Sequence, residues 1–179
     1  MTTPGQTIGP FFHGALPYPG GNELVPPGSP GAIRLHGHVY DGAGEPVPDA
    51  MLEIGQAGPD GRSSGTGGSL HRDGWTFTGW GRAETDALGH YSFATLVPGP
   101  DEPGRAAFFA VTVFARGLTN RLFTRAYLPD PPADDPFLAA LDPDRRATLV
   151  TVPDHLGLIF DVRLQGERET VFLRFPRHE

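Results

Sequence analysis

Arg105-Ala-Ala-Phe-Phe-Ala-Val-Thr-Val-Phe-Ala-Arg116-Gly117 carries the longest apolar run in the sequence. Phe108, Phe109, Val111, Thr112, Val113 and Phe114 are β-branched or aromatic, no proline interrupts them, and Gly104 and Gly117 bound the run. Such a run predicts a strand buried on both faces at the centre of a sheet, where it fixes its neighbours' register. Arg116 is a charge at the end of that strand, costly unless it is paired or sits at a mouth. Two readings follow: a salt bridge to one of the acids, or recognition of an anion, since Arg holds carboxylates in a bidentate way.

Further strands flank this one. Ala32-Ile-Arg-Leu-His-Gly-His-Val-Tyr40 alternates, with Ile33, Leu35, Gly37 and Val39 on one face and Arg34, His36, His38 and Tyr40 on the other. Residues 50–56, the end of 75–85, 90–96, 121–128, 149–152, 156–164 and 170–175 read as strands, and Asp86-Ala-Leu-Gly89 as the tight turn of a hairpin. Residues 57–74 are a Gly/Ser-rich excursion too polar to pack. Asp134-Asp-Pro-Phe-Leu-Ala-Ala-Leu141 predicts one short helix, with an acidic N-cap and proline at its first position. Short strands with turns at regular spacing predict an all-β sandwich or barrel.

The composition agrees. Gly 25 and Pro 20 make up about a quarter of the 179 residues, which suits long, stiff loops between strands. Residues 1–30 hold seven prolines together with Ile8, Phe11, Phe12, Leu16 and Tyr18. An arm with so many apolar groups needs a surface to lie on. That surface is either its own domain or another subunit; residues 1–30 are taken as an N-terminal arm packing on a partner subunit, and residues 31–179 as the sandwich domain. The net charge is −7 and all 14 basic residues are Arg, a poor match to nucleic acid. Cysteine is absent, which removes disulfides, thiolate metal sites and Cys nucleophiles. The start lacks a signal-peptide pattern and no run reaches membrane-spanning length, so a cytoplasmic protein is expected.

Local motifs carry little chemistry alone. His36 and His38 project from one strand face and suit Zn, Fe or Cu, but a third ligand is lacking, since His71, His90 and His155 are scattered in sequence. A solvent-facing pair is the ordinary alternative. Glu84, Asp86, Asp101, Glu102, Asp134 and Asp135 lie beside turn residues, where acids cap and solvate. The glycines at 65–68 open no helix, so no phosphate loop is formed. Gly61-Arg-Ser-Ser-Gly65 lacks the spacing of a nucleophile elbow.

Taken together, Thr3-Pro-Gly-Gln-Thr-Ile-Gly-Pro10-Phe11, Gly37-His-Val-Tyr-Asp-Gly42, Glu53-Ile-Gly-Gln-Ala57, Gly81-Arg-Ala-Glu-Thr-Asp86, His90-Tyr-Ser-Phe93, Val97-Pro-Gly99 and Gly166-Glu-Arg-Glu-Thr-Val-Phe172 resemble the intradiol ring-cleavage dioxygenases, in order and across nearly the whole chain. The resemblance implies a β-sandwich of two mixed sheets and a ferric ion held by two Tyr and two His. This chain departs from that pattern at each ligand. Ser63 and Asp101 stand at the Tyr positions, and Phe108 and Ala110 at the His positions. Phe and Ala offer iron nothing to bind. Arg125 replaces a family Gln on the next strand, where its charge is expected to stand in for the ferric ion by pairing with Asp101 or Glu102.

The resemblance therefore implies an α chain that has lost the metal. Its partner would be a homologous β chain that binds Fe(III), in a higher αβ oligomer acting on a dihydroxybenzoate and O₂. Thr7, Pro10, Phe11 and Arg116 match the positions that reach the partner's pocket, and Phe11 stands where a related α chain has Tyr. Two other readings remain: a metal-free binding or scaffolding sandwich, and a separate enzyme using His36 and His38.

Overall fold

The computed structural model describes residue 9, residues 11–64, residue 70 and residues 72–175. Alternating strands build it, and two sheets stack face to face. The first contains β1 (Ala32–Tyr40), β4 (His90–Leu96), β7 (Val152–Pro153), β8 (Gly157–Ile159) and β9 (Val162–Arg163), ordered β4-β1-β8-β7 with β9 also paired to β1. The second contains β2 (Met51–Gly55), β3 (Trp80–Glu84), β5 (Phe108–Phe114) and β6 (Leu122–Tyr127), ordered β3-β2-β5-β6. Among the described residues no helix is long and apolar enough to cross a membrane.

The period-two pattern places the core between the layers. Leu35, Val39, Tyr91, Phe93 and Phe160 from one sheet meet Leu52, Ile54, Phe109, Val111 and Val113 from the other. Burying each large side chain there stabilises by roughly 1.5–3 kcal/mol. Leu24, from the segment before β1, is also fully buried in this core. The Gly in His36-Gly-His38 has a structural reason. A Cβ on Gly37 would stand 2.1 Å from the Phe160 carbonyl oxygen, where the chain crosses from β8 to β9.

Several expectations need correction. β5 is central in its sheet, but only one face is buried: Phe109, Val111 and Val113 point inward while Ala110 is exposed. On its outer face Phe108 packs with Phe137 and Leu138 of the first short helix after β6, while Ala110 stays open. Asp86-Ala-Leu-Gly89 is a tight turn, with the Asp86 carboxylate accepting N–H bonds from Leu88 and His90. It makes no hairpin, because β3 and β4 belong to different sheets and the turn links the layers. Only the first sheet is mixed by its ladders. The second is antiparallel throughout its ladders, with one parallel bridge from Tyr127 to Val150. The C-terminal strands are fragments, and residues 170–175 contribute a single bridge, Phe123 to Leu173.

Helix α2 (Pro136–Ala139) forms where expected, capped by Asp135. The helices α1 (Phe12–Ala15) and α3 (Pro143–Ala147) were not expected. Asp142-Pro143 repeats the Asp-Pro signature of α2, so α3 was legible. The loop at 57–74 is not merely polar. Arg72 donates to the Glu23 carbonyl (3.0 Å), the Trp80 carbonyl (3.0 Å) and the Tyr18 hydroxyl (3.0 Å), tying it to the segment before β1.

Candidate functional site: an arginine over an aromatic ring and a paired arginine

β5 and β6 pair antiparallel, with Ala110 opposite Arg125 and Phe108 opposite Tyr127. Phe108 and Ala110, two residues apart, share the outer face of β5. Arg125 rises from β6 and lies over Phe108, its Cζ 4.2 Å from the ring centroid and 5.5 Å from that of Phe137 on α2. Its Nη1 donates to the Tyr127 hydroxyl at 3.1 Å. Burial raises the Tyr127 phenol above its ordinary value, and the Arg125 hydrogen bond opposes part of that rise. α2 is held against this corner by Asp135. Burial alone would raise its carboxyl, but N–H bonds from Leu138, Ala106 and Phe137 outweigh it and hold the group low.

A cavity of about 80 Å³ remains beside Phe108, lined also by Asp101, Gly99, Gly55 and Gln56. The fold thus brings Asp101 and Phe108 together. Ser63 and Ala110 are exposed and do not line the cavity. These residues do not fit a ferric ion. Phe and Ala have no donor atom, a serine hydroxyl is a weak one, and a guanidinium already brings positive charge to Phe108. Among the described residues no group of three or more His, Asp or Glu is placed to hold a metal. Arg125 does not pair with the acids expected for it. Glu102 pairs with Arg105, and Arg125 uses aromatic faces and a phenol instead.

At the other end of β5, Arg116 forms an ion pair with Asp49. This realises the salt-bridge reading, yet the guanidinium remains largely open to solvent. Phe11 precedes α1 and is 78% exposed. Thr7 and Pro10 lie outside the described residues.

The histidines form a third group. His36 is buried rather than solvent-facing, and His90 is the direct cross-strand partner of His38 rather than a scattered residue. Sequence distance hid this, because the β1–β4 pairing closes a gap of more than fifty residues. His36 Nε2 lies 3.1 Å from Asp154 Oδ2, and His36 Nδ1 lies 3.4 Å from His90 Nε2. Burial depresses the His90 pKa, His38 and His36 lower it further, and Asp86 partly opposes them. Among the described residues these rings are engaged with carboxylates and with one another, and they form no group placed to hold a metal.

The fold and the sequence both have known counterparts. The family model described as "Dioxygenase" matches residues 21–106. The protocatechuate 3,4-dioxygenase alpha chain of Burkholderia cepacia is 37% identical, over 95% of this chain and 95% of its own. The beta chain from that organism is 30% identical, over 92% of this chain and 76% of its own. Among solved structures, the dioxygenase domain of a carbohydrate-binding fusion from Streptomyces sp. SirexAA-E is 29% identical with a TM-score of 0.57, covering 92% of this chain and 98% of that one.

Proposed function

The chain belongs to the intradiol ring-cleavage dioxygenase family, and from that premise we propose that it is the iron-free alpha subunit of a protocatechuate 3,4-dioxygenase. Its iron-bearing beta partner would be a homologous chain. The complex would open protocatechuate with O₂ between the ring hydroxyls to give 3-carboxy-cis,cis-muconate, both oxygen atoms entering the product. The observation that carries this reading is the likeness to an alpha chain along nearly the whole length of this one. Phe108 and Ala110 would stand at the imidazole positions, and Arg125 lies over Phe108.

The beta chain would supply Fe(III) and the redox chemistry that goes with it. This chain's residues would shape the far end of the pocket. Arg116 presents a cation suited to the substrate's carboxylate. Thr7, Pro10 and Phe11 lie on the Pro-stiffened arm that would line the same end. The segment from Tyr18 to Leu24 packs on its own sandwich, and the residues before it would face the partner. An αβ unit repeated in a higher oligomer accounts for the apolar side chains left exposed, Trp75 at 88% among them. Co-expression with the beta chain, followed by native mass measurement, tests the pairing: equal numbers of both chains in one particle support it, and two separately eluting proteins contradict it.

A further inference from the structure

We propose that Asp49 is a positioning residue that fixes Arg116 for recognition of a carboxylate on the substrate, a role that rests on the function proposed above. The β2–β5 ladder pairs Met51 with Phe114, and continuing that register by two residues sets Asp49 opposite Arg116. The side chains meet there, Arg116 Nη2 on Asp49 Oδ2. They are unequal partners: the Asp49 side chain is 8% exposed and that of Arg116 66%. Asp49 is the anchored member. The buried Thr85 hydroxyl donates to the Val47 carbonyl (2.8 Å) and accepts from the Ala50 N–H (3.0 Å), stapling the residues on either side of Asp49. Arg116 begins a turn, with Gly117 at φ +89 and the Leu118 N–H on the Ala115 carbonyl.

Among the described residues Asp49 Oδ2 makes no hydrogen bond elsewhere, and the ion pair compensates this buried oxygen. The buried acid thereby holds one edge of an exposed guanidinium. Arg has five N–H donors in a rigid fork, and the remaining edge is free to take a second carboxylate. The pair is nearly neutral as a unit, which weakens long-range attraction and leaves short-range, directional hydrogen bonding to do the recognition. Fixing the fork beforehand lowers the entropy lost when the substrate docks.

The test uses the assembled αβ complex with Asp49→Asn, Arg116→Ala and the double variant. kcat and KM are measured with protocatechuate and with catechol, which lacks the carboxylate. Asp49→Asn is expected to lower kcat/KM for protocatechuate about tenfold, as for a misdirected positioning group, with catechol unchanged. The double variant is expected to be no worse than Arg116→Ala, because both act through one contact. Loss of equal size with both substrates marks a merely structural role, or failed folding, and overturns the proposal. If Arg116→Ala impairs protocatechuate turnover and Asp49→Asn does not, the positioning role alone fails. If Arg116→Ala changes nothing, the functional reading of Arg116 fails instead.

Discussion

The Arg125 guanidinium lies over Phe108, its Cζ 4.2 Å from the ring centroid. The cation is held there by an aromatic face rather than by an acid. The arrangement is self-consistent. Phe108 supplies the π-face, Tyr127 accepts one N–H, and Phe137 from α2 closes the far side.

Arg125→Ala is expected to destabilise the isolated chain by about 1–3 kcal/mol, from the lost cation–π contact and the orphaned Tyr127 hydroxyl. Urea unfolding monitored by tyrosine and tryptophan fluorescence reads this directly. A midpoint equal to that of the parent would show that the stack contributes nothing.

The same geometry predicts what restoring a metal site requires. Ser63→Tyr, Asp101→Tyr, Phe108→His and Ala110→His together are expected to bind no iron while Arg125 is present, because its cation opposes a trivalent one. Adding Arg125→Gln is expected to admit iron, checked by metal analysis and by the visible tyrosinate-to-iron absorption. Iron uptake by the four-residue variant with Arg125 intact would show that the cation is no barrier.

Arg82 ties the beginning of the chain to the second sheet. Its Nε donates to Glu53 at 2.9 Å and its Nη1 to the Leu16 carbonyl at 2.8 Å, while Trp80 stacks beneath it. Arg82→Ala is expected to cost about 2–4 kcal/mol, since it leaves the half-buried Glu53 without its partner. Amide exchange should rise in α1 before it rises in β2. Uniform exchange across both elements would argue against a local tether.

Acid sensitivity should be traceable to His90. Burial and the neighbouring His38 and His36 hold its folded pKa below the ordinary 6.5, against Asp86. Asp154, Asp161 and Arg34 are the other charged groups facing this cluster. The folded state therefore resists protonation that the unfolded chain accepts. The stabilising contribution is full above 6.5 and is lost as pH falls through the folded pKa. Asp86, Asp135 and Asp154, all held below 3.8, keep their contributions until more acidic pH. Urea midpoints should fall as pH drops below about 6.5, and His90→Gln should flatten that slope. An unchanged slope would remove His90 as its source.

Much of this was legible in the chain, for physical reasons that differ by element. β1 and β4 announce themselves by alternation because each has one buried face. β5 reads as doubly buried from its residue types, yet the sheet leaves Ala110 in the open. The turn at 86–89 was readable from Asp and Gly, but local sequence does not say whether a turn joins neighbours or crosses between layers. The Arg116–Asp49 pair and the His38–His90 contact depend on ladders that close long separations, so neither is visible until the sheets are assembled. The surroundings of Arg125 were not readable from the chain. Its aromatic cradle comes from three separate elements.

Iron content and ring-cleavage activity, measured side by side on the isolated chain and on the chain co-expressed with its beta partner, test the central claim most directly. The chain alone is expected to hold no stoichiometric iron and to show no oxygen-dependent cleavage of protocatechuate. The complex is expected to hold one iron per αβ unit and to turn over. Stoichiometric iron together with protocatechuate cleavage by the isolated chain would contradict the claim.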